Sequence, residues 1–326
     1  MKKKDFEKEP LIYFKPSEGK FNIFDCDICY YKEEYYKSLG LGKADLLGID
    51  TGFSKLNQKI SGLRGLVICA GVPKTGKTTY ILQLSYQAAE RGVPVIFYSL
   101  EMNKRQILTK ILSRLSGISY LDILLKSRPY LDERVKSEDI DFNLLLTEEE
   151  RLSLLDAERQ RLNLQGFYIR GLEDSEAINF ANVKKEINLV KNMYKSENIL
   201  IVIDHLQVFP IEISNYRDQV DKENSLIKRF NEIQKSTNST IVLISQKNKE
   251  SFKSKKRSEN SIMAGVKGSV DLVYLASLIL SLSLVNKSSS NSLERELELT
   301  IISRDTAGGK IKLLFNGELS KFKEID

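Results

Sequence analysis

From Gly48 onward the chain alternates short, continuous apolar runs with longer stretches in which apolar residues recur at helical spacing. The runs at 66–70, 93–99, 167–169, 199–203, 241–245 and 275–284 are too short for buried helices and read as strands covered on both faces. Ile178, Val183, Ile187, Val190 and Tyr194 mark one face of a helix ahead of the run at 199, and Val220, Ile227, Phe230 and Ile233 mark another ahead of the run at 241. Strands and helices taken in turn imply a mostly parallel central sheet flanked by helices. Beyond the polar stretch 287–292 the pattern changes to two-residue alternation at 296–302 and 310–315. Asn316-Gly317 reads as a tight turn into a last strand at 318–322, so the chain is expected to end in an antiparallel hairpin edge.

Two segments depart from this rhythm. Residues 117–165 are charged and leucine-bearing, with Thr147 and Glu150 at capping-box spacing and Leu152, Leu155 and Leu162 following at helical intervals. They read as a helical excursion packed beside the sheet, serving either as a solvated surface or as a partner-binding face. Residues 1–46 begin with a charged stretch and carry the pairs Tyr30-Tyr31 and Tyr35-Tyr36. That length cannot bury a core of its own, so the segment is expected to be an arm or linker, with a helix over 27–39 ending near Gly40. The remainder, 47–326, is expected to form one α/β domain.

Composition narrows the class without choosing a function. A hydrophobic content of 41% over 326 residues supports a large core. Fifty Lys plus Arg against 44 Asp plus Glu give a net charge of +6, too small by itself to require a nucleic-acid partner. Three cysteines do not make a disulfide scaffold and suit a reducing cytoplasm. Cys69 lies inside an apolar run, and Cys26 and Cys29 form a lone C-x-x-C whose zinc reading lacks two further ligands. The basic start Met1-Lys2-Lys3-Lys4 has no apolar stretch behind it, and the longest apolar segment, 272–285, is broken by serines. Neither a secretory signal nor a membrane span is expected.

The chemistry is concentrated at the ends of the apolar runs. Gly71, Val72, Pro73, Lys74, Thr75, Gly76, Lys77, Thr78 and Thr79 fit the phosphate-binding loop G-x-x-x-x-G-K-[ST], placed between a strand and a helix that runs through Leu82, Leu84 and Ala88. Backbone N–H groups of such a loop and the positive helix N-terminus form an anion cradle. Lys77 is expected to reach the β and γ phosphates, and Thr78 to place its hydroxyl on Mg²⁺. Asp204 ends the run at 199–203, where a metal-organising carboxylate of a phosphate-loop enzyme belongs, although a helix-capping role satisfies the same pattern. Glu101 follows the run ending at Ser99, and its carboxylate is a candidate to orient water for attack on a phosphate or, alternatively, to meet a helix dipole.

Taken in order, GVPKTGKTT, YSLEM, ILIVIDHLQ and LISQ, preceded by Ile49-Asp50-Thr51-Gly52-Phe53, resemble the motor domain of the DnaB-like replicative helicases, a branch of the RecA fold. The resemblance implies a RecA-like P-loop NTPase that binds ATP and Mg²⁺, with Glu101 as catalytic base, Asp204 and Thr78 at the metal, and Gln246 sensing the γ phosphate. It also implies a hexameric ring moving 5′ to 3′ on single-stranded DNA, with a primase or helicase loader as further partner. Ser303-Arg304-Asp305-Thr306-Ala307-Gly308-Gly309-Lys310 resembles the hairpin that carries a trans-acting arginine, which puts Arg304 at the finger position; Ile302 stands where a lysine often accompanies it. The basic stretch Lys247, Lys249, Lys253, Lys255, Lys256, Arg257 and Lys267 is the expected DNA-contacting segment, with Gly265 where many members carry arginine. No counterpart of the family's N-terminal collar is expected in residues 1–46, and the resemblance then implies a compact helicase of plasmid, viral or mobile-element type. A RadA-like or KaiC-like ATPase without unwinding activity is the alternative resemblance.

Overall fold

The computed structural model describes residues 46–127, 145–211, 216–246, 275–285 and 294–326, all within one compact unit, Leu46–Asp326. Of the arm at 1–46, residues 1–45, with the expected helix and Cys26 and Cys29, lie outside the described residues, as does the basic stretch from Lys247 to Lys267. Among the described residues nine strands form one sheet: β1 (Leu66–Gly71), β2 (Val95–Ser99), β3 (Phe167–Arg170), β4 (Leu200–Asp204), β5 (Thr240–Gln246), β6 (Leu278–Leu284), β7 (Glu294–Ser303), β8 (Gly309–Asn316) and β9 (Lys321–Ile325). Their spatial order is β3-β2-β4-β5-β1-β6-β7-β8-β9. The first six in that order are mutually parallel, and the last three add on antiparallel.

Alternation of side chains along buried strands divides the core between the two faces of the sheet. On one face Val67, Cys69, Val95, Phe97, Leu200, Val202, Val242 and Ile244 meet α1 (Ser54–Ile60), α2 (Lys77–Glu90) and α3 (Lys104–Ser116). On the other, Leu66, Ile68, Ile96, Tyr98, Ile201, Ile203, Ile241 and Leu243 meet α6 (Phe180–Tyr194) and α7 (Gln219–Thr237). Of the apolar positions read as helix faces, Val183, Ile187 and Val190 are buried in α6 and Ile227, Phe230 and Ile233 in α7, with Leu226 buried beside them; Tyr194 and Val220 are only partly buried, and Ile178 is buried just ahead of α6. Asn179 and Asp218 cap these helices by accepting the N–H of Asn182 and Asp221.

The excursion is helical, with α4 (Tyr120–Lys126) and α5 (Glu148–Asn163), and the Thr147–Glu150 capping box is formed. Its packing differs from expectation. Leu152 and Leu162 are exposed, while Leu154 and Ala157 are buried with Leu112, Ile118, Ile123 and Leu146. Among the described residues the excursion thus packs on α3 with a small core of its own, and Leu164 at its end reaches the core of the sheet. Strand ends also shift for identifiable reasons. The expected strand at 93–99 begins at Val95, because Pro94 has no N–H to give and offers only its carbonyl, to Leu200 N at 2.9 Å. The last strand begins at Lys321, after a longer turn in which Leu319 N donates to Asn316 Oδ1 at 2.9 Å and Ser320 takes φ 50°.

Phe230 is fully buried against Phe180 and Phe209, with ring centroids 5.1 and 4.9 Å away. Phe230→Ala is expected to destabilise the domain by about 3–5 kcal/mol. Urea unfolding followed by circular dichroism should show the midpoint fall with the slope unchanged; an unmoved midpoint would show that this face of the core is not well packed.

Candidate nucleotide site

In a parallel sheet every strand presents its carboxyl end at the same edge, and the residues singled out in the sequence gather there. Gly71 ends β1, Asp204 ends β4 and Gln246 ends β5, while Glu101 sits two residues past the end of β2. The register makes them neighbours: Ser99 pairs with Asp204, and Gly71 with Gln246.

The loop from Val72 to Gly76 turns back into α2 with Lys74 at φ 67° and Gly76 at φ 84°. At Gly76 a Cβ would stand 2.9 Å from Phe322 Cζ and 3.1 Å from Phe315 Cε1, so both backbone angle and space call for glycine. Thr75 Oγ1 closes the turn on Val72 O at 2.9 Å. Lys77, 7% exposed, donates from Nζ to the carbonyls of Gly71 and Val72, each at 3.0 Å. Burial pulls its pKa down, against the charges of Asp204 and Glu101. Its ammonium thus lies across the loop mouth, on weak neutral acceptors that a phosphate would replace.

Asp204 is 1% exposed, and Thr78 Oγ1 donates to its Oδ1 at 3.0 Å. The other oxygen, Oδ2, is buried with no partner among the described residues. Burial, helped by the nearby Glu101 carboxylate, pushes the Asp204 pKa up to about 7, although the Thr78 hydrogen bond and the Lys77 and Lys110 charges act the other way. A hard divalent cation takes carboxylate and hydroxyl oxygens, so the unpartnered Oδ2 beside Thr78 fits a metal position.

Glu101 is half-exposed above this pair. Gln246 Nε2 is 3.4 Å and His205 Nδ1 3.1 Å from its Oε1. The His205 imidazole is buried, which pushes its pKa down despite the Glu101 carboxylate beside it.

Several contacts at this edge were not visible in the linear sequence. Gln207 Nε2 donates to Ser245 Oγ at 2.8 Å, and Gln207 Oε1 accepts the Gln246 backbone N–H at 3.4 Å, so one side-chain amide fastens the end of β5. Lys110, on α3, donates to Thr79 Oγ1 at 3.3 Å, and burial lowers its pKa. Arg295, on β7, donates from Nη1 to Lys74 O at 3.2 Å and lies 5.1 Å over the Phe315 ring. The only sequence signal for any of these was a charged or amide residue within or beside an apolar run, which also describes ordinary surface positions.

Arg304 is elsewhere. Ser303 pairs with Leu278 and Leu278 with Val67, at the opposite edge of the sheet from Gly71. Four residues of strand, about 13 Å, separate the two levels. The guanidinium turns further away, donating from Nη2 to the carbonyls of Leu275 at 3.2 Å and Ala276 at 2.9 Å. Ser303 Oγ accepts the N–H groups of Asp305 and Thr306, and Gly308 passes so close to Ile301 O that a Cβ would stand 2.5 Å from it. Arg304 is thus held on a tight hairpin that cannot reach the phosphate loop of its own chain.

A phosphate loop at the carboxyl edge of a sheet with β1 between β5 and β6, closed by antiparallel strands, defines a RecA-like α/β ATPase fold. Residues 48–324 match the model of the DnaB-like helicase C terminal domain, and the chain belongs to that family. Similar proteins include the replicative DNA helicase DnaB of Haemophilus influenzae, 26% identical over 85% of this chain and 55% of the relative, and that of Buchnera aphidicola subsp. Schizaphis graminum, 29% identical over 84% and 55%. The chain spans just over half the length of these relatives. Among solved structures, the ATPase domain of G40P aligns with TM-score 0.74 at 17% identity, covering 92% of this chain and 99% of that one. A DnaB-like replicative helicase, described with its interactions with primase, aligns with TM-score 0.74 at 18% identity, covering 92% and 67%. Among the described residues no helix is long and apolar enough to cross a membrane.

The buried Asp204 gives a pH test. Its folded pKa of about 7 lies above the ordinary 3.8, so the stability it contributes is complete below pH 3.8 and lost as pH rises towards 7. Without nucleotide or metal, Asp204→Asn should remove up to about 4 kcal/mol of this fall and be more stable than wild type at pH 8. Thermal unfolding from pH 4 to pH 8 measures it. Parallel curves for the two proteins would contradict the burial argument.

Proposed function

We propose that residues 47–326 form the motor domain of an ATP-dependent helicase that moves on single-stranded DNA, 5′ to 3′, as a hexameric ring in DNA replication, with residues 1–46 as its arm. The observation that carries this reading is the division of labour across the sheet. Phosphate loop, carboxylates and Gln246 share one edge, whereas Arg304 is fixed at the other. An arginine so placed serves a nucleotide only when a second copy presents it.

In this mechanism the backbone N–H groups of residues 74–79 and the Lys77 ammonium bind the ATP phosphates, with Lys77 exchanging the carbonyls of Gly71 and Val72 for phosphate oxygens. Thr78 and Asp204 hold Mg²⁺, which when bound neutralises charge on the β and γ phosphates. Glu101 takes the proton of the attacking water, and Gln246, at the end of β5, contacts the γ phosphate. Arg304 from the neighbouring copy stabilises the charge that develops during transfer. The segment directly after Gln246 carries Lys247, Lys249, Lys253, Lys255, Lys256, Arg257 and Lys267, the proposed contacts to the DNA backbone, so phosphate sensing and DNA contact are adjacent in sequence. A primase is the corresponding candidate partner, because the similar solved helicase is one described with its interactions with primase, and a helicase loader is another.

Strand displacement on a forked duplex tests the function as a whole. Unwinding of a 5′-tailed fork with ATP, and none with a non-hydrolysable analogue, is expected. DNA-stimulated ATPase without displacement would favour a RadA-like or KaiC-like role. At the site, Lys77→Ala should abolish ATPase activity, and Glu101→Gln should bind ATP but turn it over at least about a hundredfold more slowly. Normal turnover in either variant contradicts its assigned role. Mixing Arg304→Ala with Lys77→Ala subunits, each inactive alone, should recover part of the ATPase at interfaces that pair an intact phosphate loop with an intact arginine, whereas no recovery in mixed assemblies contradicts catalysis across the interface.

A further inference from the structure

His205 is the chain's one histidine and follows Asp204 at the end of β4. Its side chain is 7% exposed, and Nδ1 stands 3.1 Å from Glu101 Oε1, close enough to donate though not aligned as a hydrogen bond. Nδ1 makes no other hydrogen bond among the described residues. Leaving a buried imidazole N–H without an acceptor is costly, so the carboxylate in front of it is the acceptor this site supplies. Gln246 Nε2, from β5, approaches the same oxygen at 3.4 Å. Two neighbouring strands therefore direct donors at Oε1 of Glu101, and among the described residues none is directed at Oε2.

Glu101 needs such support. Its side chain is 44% exposed on a bend beyond β2, and the last torsion of a glutamate is broad, so the carboxylate plane is not fixed by its own backbone. A general base works only when its oxygen lies within hydrogen-bond reach of the proton it removes. We propose that His205 is a positioning residue for hydrolysis, its Nδ1–H holding Oε1 of Glu101 so that Oε2 faces the attacking water. The proposal rests on Glu101 being the base. It assigns the imidazole no contact with nucleotide and no proton transfer of its own. Alignment of the 3.1 Å contact into a hydrogen bond then belongs to the nucleotide-bound state.

The test compares His205→Phe, which keeps a ring but loses the donor, with His205→Asn, whose amide nitrogen lies near the position of Nδ1. ATPase is measured on the full chain with Mg²⁺, ATP and saturating single-stranded DNA. The Phe variant should lose roughly ten- to a hundredfold in kcat, the scale of a hydrogen bond to a charged group, with unchanged KM and unchanged affinity for a non-hydrolysable ATP analogue. Asn should recover most of the rate. In a Glu101→Gln background, His205→Phe should cost nothing further, because the carboxylate it positions is gone. A wild-type kcat in the Phe variant, equal losses in Phe and Asn, or the same fold loss with and without Glu101 would overturn the proposal. Should the Phe variant fail to fold, His205→Gln, whose amide is displaced by one methylene, replaces it: an active Asn with a slow Gln supports positioning, and equal rates refute it. Normal turnover in Glu101→Gln alone would instead remove the base assignment, which separates the two failures.

Discussion

The structure depends on one constraint: six parallel strands, hydrogen-bonded in fixed register, bring their carboxyl ends to a single edge. Both faces of the inner strands β1, β2, β4 and β5 are buried, so these are continuous apolar runs and the first polar residues after each run emerge at the edge. Gly71, Glu101, Asp204 and Gln246 lie at such run ends. Their convergence is a property of topology, and strand order decides which of them touch. Because β4 lies between β2 and β5, Asp204 and His205 come between Glu101 and Gln246, and β1 brings the phosphate loop in on the far side of β5.

That edge is charged at a cost. Lys77 and Asp204 are both buried, and each is displaced by desolvation towards its neutral form. Opposite charges nearby offset only part of this. Such a site is poorly matched to itself and well matched to a triphosphate with a divalent cation, which would give Lys77 a true counter-charge and Asp204 Oδ2 a partner. Local cost in stability and capacity to bind have the same origin here.

Most of the sheet was legible in the sequence because a strand buried on both faces has a plain signature, and β1, β4 and β5 fall within a residue or two of their expected bounds. Legibility failed where tertiary contacts choose the boundary. Pro94 delays β2, the turn after Asn316 holds four residues before β9, and the buried leucine of α5 is Leu154, while Leu152 and Leu162 face outward. The positions of Asp204, Gln246 and the phosphate loop at strand ends were legible for the same reason as the strands. Glu101–His205, Gln207–Gln246, Lys110–Thr79 and Arg295–Lys74 were not, since each joins elements distant in the chain through a strand order that periodicity does not encode.

In the proposed motor catalysis is completed across two copies of the chain, since Arg304 and the phosphate loop lie at opposite edges of one sheet. The most direct measurement is a structure of the assembled protein with Mg²⁺, a non-hydrolysable ATP analogue and a single-stranded oligonucleotide. In it the Arg304 guanidinium should leave the carbonyls of Leu275 and Ala276 and lie within hydrogen-bond distance of the γ phosphate held by an adjacent copy's Lys77. An assembly in which Arg304 stays on those carbonyls, remote from every bound nucleotide, would contradict the claim.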